Sequence, residues 1–422
     1  MALAVLELND QSLLIQAEGG PLHAQPGFAR VTASGIECGE DARASAWREP
    51  QHSYNQYWCH LNQTPLVASQ QWARHHADIA FAQLKSLWDS AGSPETLLIL
   101  VPGSFSDTQL SLLLGLVSAL PAKAHAVIDS ALAACLQLEQ DILFIDMQLH
   151  QTVLTLCRPE EKAVSIIDQE VFPDLGMIQI QNSVARYISK LLIDSDRYDP
   201  LHASGNEQTI FDQIPDWLTR LRWEKELSAT LHSEQKELPF ILRQDEIKNL
   251  IGERLVNIRA FVARYPGCLP VLSHASGLLA GLSNEFSTAE VTGQTAGIDN
   301  SLAHYRLMSD TDESVYRVRS LVRSDPGTRV PVAVGRLATH VLYGDQALPL
   351  AKPVSIRICE KDLQLVNEID KQAALTVVLR NRQLEAVHRA PGMDASLPQN
   401  CVPGEAIIVD GHQLRLIEVQ DG

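Results

Sequence analysis

The sequence predicts an α/β fold with an internal duplication, followed by a smaller all-β module. Three observations lead there. A strand–turn–strand pattern at Val5-Leu6-Glu7-Leu8, Asn9-Asp10 and Leu13-Leu14-Ile15 returns at Phe144-Ile145-Asp146 and Thr152-Val153-Leu154. Short apolar runs that suit buried parallel strands, each leading into a helix, follow the two copies. After Asp310 the segments become short and alternating, and Ser324-Asp325-Pro326-Gly327 is a strong breaker.

The elements follow in chain order. Ala4 to Gln16 reads as the first strand–turn–strand unit, and Gly19 to Thr64 as a turn-rich stretch. Gln70 to Ser90 has helical spacing, with Trp72, Ile79, Leu84, Leu87 and Trp88 near one stripe. Leu97 to Val101 is a buried strand ended by Pro102, and Ser106-Asp107-Thr108-Gln109 has capping-box spacing before an apolar helix. Ala126-Val127-Ile128 leads into a small-residue helix, Ala131 to Leu138. The second unit spans Ile142 to Leu156, and its Asp146 matches Glu7 of the first. Asp174 to Phe261 reads as mainly helical, with periodic segments Asp174 to Leu192 and Arg243 to Val262. Val271-Leu272 runs through Ser273-His274-Ala275-Ser276-Gly277 into a short helix, and Asn300 to Met308 is another. The tail alternates at Thr339 to Tyr343, Val354 to Ile358, Ala374 to Leu379, Leu384 to Val387, Ala406 to Val409 and Gln413 to Val419. Asp410-Gly411 is a tight-hairpin signal within it.

Length and composition narrow the function. At 422 residues the chain has room for about two or three domains, and 45% apolar residues suffice for their cores. The net charge of −17 repels phosphate backbones and anionic lipid, so no nucleic-acid partner is expected. The 7 cysteines form no Cys-x-x-Cys pair, and Cys135 and Cys157 lie in apolar runs. That pattern points to reduced thiols in a cytoplasmic protein, with Cys135 a small core residue. Met1 to Ile15 carries Glu7 and Asp10 and no basic start, so it does not read as a signal peptide. No apolar run reaches the roughly 18 residues of a spanning helix, so no membrane insertion is expected.

Val101-Pro102-Gly103-Ser104-Phe105-Ser106-Asp107-Thr108-Gln109 resembles a strand and helix start found in 70-kilodalton heat-shock chaperones. There the pattern is Val-Pro-Ala, two residues that usually include Phe, then Asp-x-Gln. Val127-Ile128-Asp129-Ser130-Ala131-Leu132-Ala133-Ala134 stands where that family has Ile-Asn-Glu-Pro-Thr-Ala-Ala. Ile145-Asp146-Met147 stands where Asp-Leu-Gly-Gly-Gly-Thr would be, and Val271-Leu272-Ser273-His274-Ala275-Ser276 where Val-Gly-Gly-Ser would be. The resemblance implies a two-lobed actin-like ATPase fold, with duplicated ribonuclease-H-like lobes, over residues 1–310. Residues 311–337 would be a linker. Residues 338–422 resemble a forkhead-associated β-sandwich, through Thr339-His340-Val341-Leu342-Tyr343 and Pro403-Gly404-Glu405-Ala406-Ile407-Ile408-Val409. That family's phosphothreonine pocket does not carry over: Gly335-Arg336 precedes the opening hairpin, and Asn400 precedes Cys401.

The resemblance also implies where a nucleotide would lie. A working cleft would use Glu7, Asn9, Asp10, Gln11, Asp146, Gln148, His150, Lys225, His274 and Ser276 for ATP, with Glu7 and Asp146 toward magnesium. Lys225 enters through Glu224-Lys225-Glu226-Leu227-Ser228, which resembles the family's adenine-contacting helix. The residues themselves are poor for that work. A phosphate-cradling turn needs glycines, so that backbone amides can approach the oxygens. Here Asn9-Asp10-Gln11 and Gln148-Leu149-His150 stand instead, His274 and Ala275 replace adenosine-side glycines, and Ser130 takes the catalytic glutamate's place. Glu7 and Asp146 also suit strand-end acids bonded to turn amides, and His150 and His274 suit plugs of an empty cleft. The expectation is a non-catalytic pseudo-ATPase: a chaperone-like scaffold or adaptor that binds a protein partner and has no cofactor. The alternatives are an ATP-dependent chaperone-like protein using ATP and magnesium, and a filament-forming actin relative.

Overall fold

The computed structural model describes residues 2–160, 163–202, 204–232, 237–279, 281–286, 289–305, 317–322, 338–344, 346–359, 362–380, 383–391, 393–398, 401, 405–417 and 419. The chain is mixed α/β and forms two units, Met1–Ser324 and Asp325–Gly422. No helix among the described residues is long and apolar enough to cross a membrane.

The first unit holds two six-stranded sheets of matching design. The first sheet contains β1 (Leu3–Glu7), β2 (Leu13–Ala17), β3 (Leu22–Gln25), β4 (Thr96–Val101) and β5 (Lys123–Asp129). The second contains β6 (Ile142–Met147), β7 (Gln151–Pro159), β8 (Ala163–Pro173), β9 (Leu269–Leu272) and β10 (Glu290–Val291). In each, three strands run as an antiparallel meander, and two more lie parallel on the other side of the meander's first strand. The central strands of each sheet are buried on both faces, and their continuous apolar runs reflect it. Ser106 and Gln109 make the expected capping box on helix Asp107–Ser118. Helix Met177–Asp196 buries Ile180, Val184, Ile188 and Leu192, spaced four apart on one face.

The structure departs from the sequence reading at several elements. The helix expected over Gln70 to Ser90 runs only over His76–Ser90, and Trp72 lies outside it, 47% exposed. The reason is the cap: the His75 side chain accepts the Asp78 amide and starts the helix there. The stretch read as helical to Phe261 is interrupted by an antiparallel hairpin, Glu226–His232 with Glu237–Arg243. Its alternate residues Leu238, Phe240 and Leu242 are buried, a period of two that a helical reading overlooks. The turn-rich stretch supplies β3 and a small sheet of Ala29–Thr32, Gly35–Cys38 and Ser53–Tyr54. Lastly, residues 317–322, assigned to the linker, are sheet. β11 (Arg317–Val318) pairs with β5, and β12 (Ser320–Val322) pairs with β8, so one short segment closes an edge of both sheets. Leu321 is buried at 4% exposure, which gives the segment its apolar anchor. The last predicted helix runs over Ala296–His304, and residues 306–308 lie outside the described residues.

The second unit has a five-stranded and a four-stranded sheet. Val341, Ile407, Leu414 and Leu416 of the former share one core with Val354, Ile356 and Val377 of the latter. No helix occurs among its described residues. Asp410 and Gly411 take φ of 48° and 79°, the paired left-handed conformation of a two-residue hairpin turn. Gly335, Arg336 and Asn400 lie outside the described residues.

Candidate functional site

The turns after β1 and β6 meet. Each follows the first strand of its sheet, so the duplicated topology brings the two loops to one place. In the first turn, Asn9 Oδ1 accepts the Gln11 amide at 2.9 Å, a side-chain-closed turn. That fixes the Asn9 amide group, whose Nδ2 donates to Asp146 Oδ1 at 2.9 Å. Gln11 Nε2 donates to the Met147 carbonyl at 3.4 Å. In return, Asp10 Oδ1 accepts the Leu149 backbone amide of the second turn at 2.7 Å. Asp10 is 4% exposed, and Gly27 packs against it so closely that a Cβ there would sit 2.5 Å from the Asp10 carbonyl oxygen.

The second turn is equally tied down. Gln148 Nε2 donates to Asp146 Oδ2 at 3.2 Å, and the Gln148 amide donates to the Gln151 carbonyl at 2.8 Å. The Met177 and Ile178 amides, at the start of helix Met177–Asp196, bond to the Gln148 and Leu149 carbonyls. Gly176 makes this approach possible, since a Cβ there would lie 2.5 Å from His150 C and from Leu149 O. Beneath, Ser276 Oγ accepts the Met147 amide at 2.8 Å. His150 Nε2 lies 3.0 Å from the Asn55 carbonyl, which joins the second turn to the first half of the unit.

Most predicted site residues are thus assembled: Asn9, Asp10, Gln11, Asp146 and Gln148 in one hydrogen-bonded knot, with Ser276 below and His150 beside it. Glu7 ends β1 and is close enough to Asp146 to feel its charge. His274 opens the one-turn helix His274–Gly277. Lys225 stands apart. It is exposed, precedes the strand Glu226–His232 instead of sitting on a helix, and its carbonyl accepts the Gln244 amide.

The electrostatics are those of buried acids without cations. Burial, reinforced by Asp146, pushes the Glu7 carboxyl up to about 8. Burial pushes Asp10 up to about 7, against the opposing Leu149 amide. Burial also raises Asp146, opposed by bonds from Gln148, Ser273 and Asn9. Burial lowers His150 to about 4. Glu7 Oε2 and Asp10 Oδ2 are buried and accept no hydrogen bond from any described residue, a state that protonation relieves.

These residues do not fit a magnesium–nucleotide. Both Asp146 oxygens already accept side-chain amides, from Asn9 and Gln148. The Gln11, Ser12, Gln148 and Leu149 amides, the donors a phosphate would need, are all bonded within the turns. Among the described residues, no group of three or more His, Cys, Asp or Glu is arranged to hold a metal ion.

Further ties between the halves carry no sequence signal, because each is a lone polar residue in an ordinary element. Gln208, fully buried on helix Ser204–Arg220, accepts the Trp47 amide at 2.9 Å and donates to the Arg43 carbonyl at 3.0 Å. Trp47 stacks on Phe211 with ring centroids 4.1 Å apart. Gln151 Nε2 donates to Ser104 Oγ at 2.8 Å. Within the first sheet's half, Arg317 binds Asp129 at 3.0 Å and the Phe105 carbonyl at 2.8 Å, which anchors the segment 317–322. No family model matches this chain, and no curated protein matches it.

Proposed function

We propose that this chain is a non-catalytic, chaperone-like scaffold or adaptor in the cytoplasm, built on an actin-like core with a degenerate nucleotide cleft. The observation that carries the reading is the direct bonding of the two turns, Asn9 to Asp146 and Leu149 to Asp10, in the space where phosphates would lie. The matching order of the two sheets supports the actin-like assignment, because a duplicated meander-plus-two-parallel-strands lobe is what that fold would need. The shared core of the two C-terminal sheets supports a forkhead-associated-like β-sandwich. Arg357 of that module is paired with Asp370, which supports a protein partner recognised without phosphate. The free thiols Cys135 and Cys157, both buried, agree with a reducing compartment.

The test is calorimetric titration and thermal melting of the full chain with magnesium and ATP. The expected result is no saturable heat and no shift. A ligand at a hundredfold excess over its Kd would add about 2.7 kcal/mol, a shift of several degrees. Such a shift at millimolar ATP, lost in Asp146→Ala, would reject this reading in favour of an ATP-dependent chaperone-like protein.

A further inference from the structure

Beside the knot of turns, a cavity of about 320 Å³ lies between the two halves of the first unit. Its walls are mainly apolar, with Phe28 and Trp47 from one half and Leu149, Met177, Leu218 and Leu278 from the other. The size falls in the range of small-molecule sites, about 300–1,000 Å³.

The polar groups on its walls are mostly committed. Gln11 Nε2 is bonded to the Met147 carbonyl. Arg43 Nε donates to Glu40 Oε2 at 2.8 Å, so the two charges at the rim cancel. Thr219 Oγ1 donates to the Pro215 carbonyl at 2.9 Å. The exceptions are the Ser12 hydroxyl and the Gln181 amide, neither of which makes a side-chain hydrogen bond to any described residue. Gln181 lies on helix Met177–Asp196 at 9% exposure and lines the cavity. Its amide atoms are not among the buried polar atoms without a partner, so they are open to the cavity and available to a ligand. Nothing in the fold of this helix needs a glutamine here, since its neighbours on the buried face are Ile180, Val184 and Ala185.

We propose that this cavity is a binding site for a neutral, compact, mostly apolar molecule carrying one carboxamide-like group, which Gln181 recognises by a paired donor and acceptor. The apolar walls take the body of the ligand. The Gln181 carbonyl accepts from its N–H, and the Gln181 NH₂ donates to its oxygen. A neutral ligand follows from the Arg43–Glu40 pair at the rim, which leaves no uncompensated charge among the described lining residues. The proposal rests on the pseudo-ATPase reading, since a cleft that held a triphosphate would need those turns open.

The test uses 2-naphthamide, naphthalene and 2-naphthoate as probes, titrated into the full chain by ligand-observed NMR. One-to-one binding of 2-naphthamide with a Kd below about 1 mM is expected, with naphthalene and 2-naphthoate each about tenfold weaker. In Gln181→Leu, 2-naphthamide should weaken about tenfold while naphthalene does not. In Thr219→Trp, which fills the cavity from its wall, both should be lost with the melting point kept. Absence of saturable 2-naphthamide binding to the wild type overturns the proposal, as does equal binding of 2-naphthamide and naphthalene. The wild-type comparison needs no variant, so a misfolded Gln181→Leu does not rescue the idea. ATP is titrated alongside. ATP binding with 2-naphthamide still bound defeats the pseudo-ATPase reading alone, and failure of both ligands defeats the cavity proposal alone.

Discussion

Glu7→Gln is expected to stabilise the protein increasingly as pH rises. Glu7 Oε2 is buried without a donor, and a Cβ added at Gly297 would lie 3.6 Å from that oxygen, 3.0 Å from Leu100 and 3.7 Å from Ala133, so its surroundings are apolar. Burial and the Asp146 charge lift its carboxyl from 4.5 to about 8. In the unfolded chain the proton leaves near the ordinary value. Between those two values the folded state binds more protons, so Glu7 favours folding below the lower value and loses that contribution as pH climbs through the upper one. The slope is at most about 1.4 kcal/mol per pH unit, or about 3 kcal/mol from pH 5 to pH 7.5. Because the residue as a whole is only half-buried, solvent reduces this to about 1–2 kcal/mol. Glutamine keeps the shape and cannot ionise, so the variant should lack this slope. Asp10 contributes with the same sign, and Asp78, lowered by its Arg74 bonds, with the opposite sign. Both cancel in the difference between variant and wild type. Urea unfolding followed by circular dichroism and tryptophan fluorescence at pH 5, 6, 7 and 8 gives that difference. A difference that stays constant, or shrinks toward pH 8, would refute the reasoning.

Two other perturbations test how the segment 317–322 and the second turn are held. Arg317→Ala leaves Asp129, at 1% exposure, without its cation and should cost about 3 kcal/mol in guanidinium unfolding; Asp129→Asn in the same chain should recover part of it. A loss below about 1 kcal/mol would mean that the segment 317–322 is not anchored there. Gly176→Ala should cost about 1–3 kcal/mol in thermal melting, because its Cβ meets backbone atoms of His150 and Leu149 that cannot swing aside. Gly115→Ala is the control: it is exposed on helix Asp107–Ser118 with nothing within 4 Å, and should be neutral or stabilising by up to about 1 kcal/mol.

What the sequence made legible was whatever repeats or caps. Leu97 to Val101 read as a buried strand, and Ser106 with Gln109 as a helix start, and both are found so. The matching of Glu7 to Asp146 located both turns, and those turns hold the buried polar residues Asp10, Asp146 and Gln148. What failed to show was whatever depends on a partner distant in sequence. The alternation of Leu238, Phe240 and Leu242 is masked by helical segments on either side. Residues 317–322 read as linker because edge strands of two or three residues carry no period. Gln208 and Gln181 look alike in sequence, yet one is fully bonded and the other faces a cavity. Lys225 falls outside the site for a related reason: a charge pattern fixes neither the element nor the face that bears it.

The two turns also bear on why losing glycines would matter more than lost space. A phosphate-binding turn works because its amides have no other acceptor. Here the Leu149 amide has one, Asp10 Oδ1 at 2.7 Å, supplied by the same chain. A carboxylate oxygen on a backbone amide is the chemistry of anion binding, completed internally. A tethered acceptor competes at an effective concentration of millimolar or more, whereas a free phosphate must also displace the Asn9–Asp146 bond. It would then have to lie beside Glu7, Asp10 and Asp146, whose carboxyls burial raises, which shows how poorly this site tolerates buried negative charge. On the proposed reading, the cleft is therefore kept shut by replacement: each contact a nucleotide would make is already made by a side chain, and opening the cleft would break bonds that ATP is poorly placed to remake.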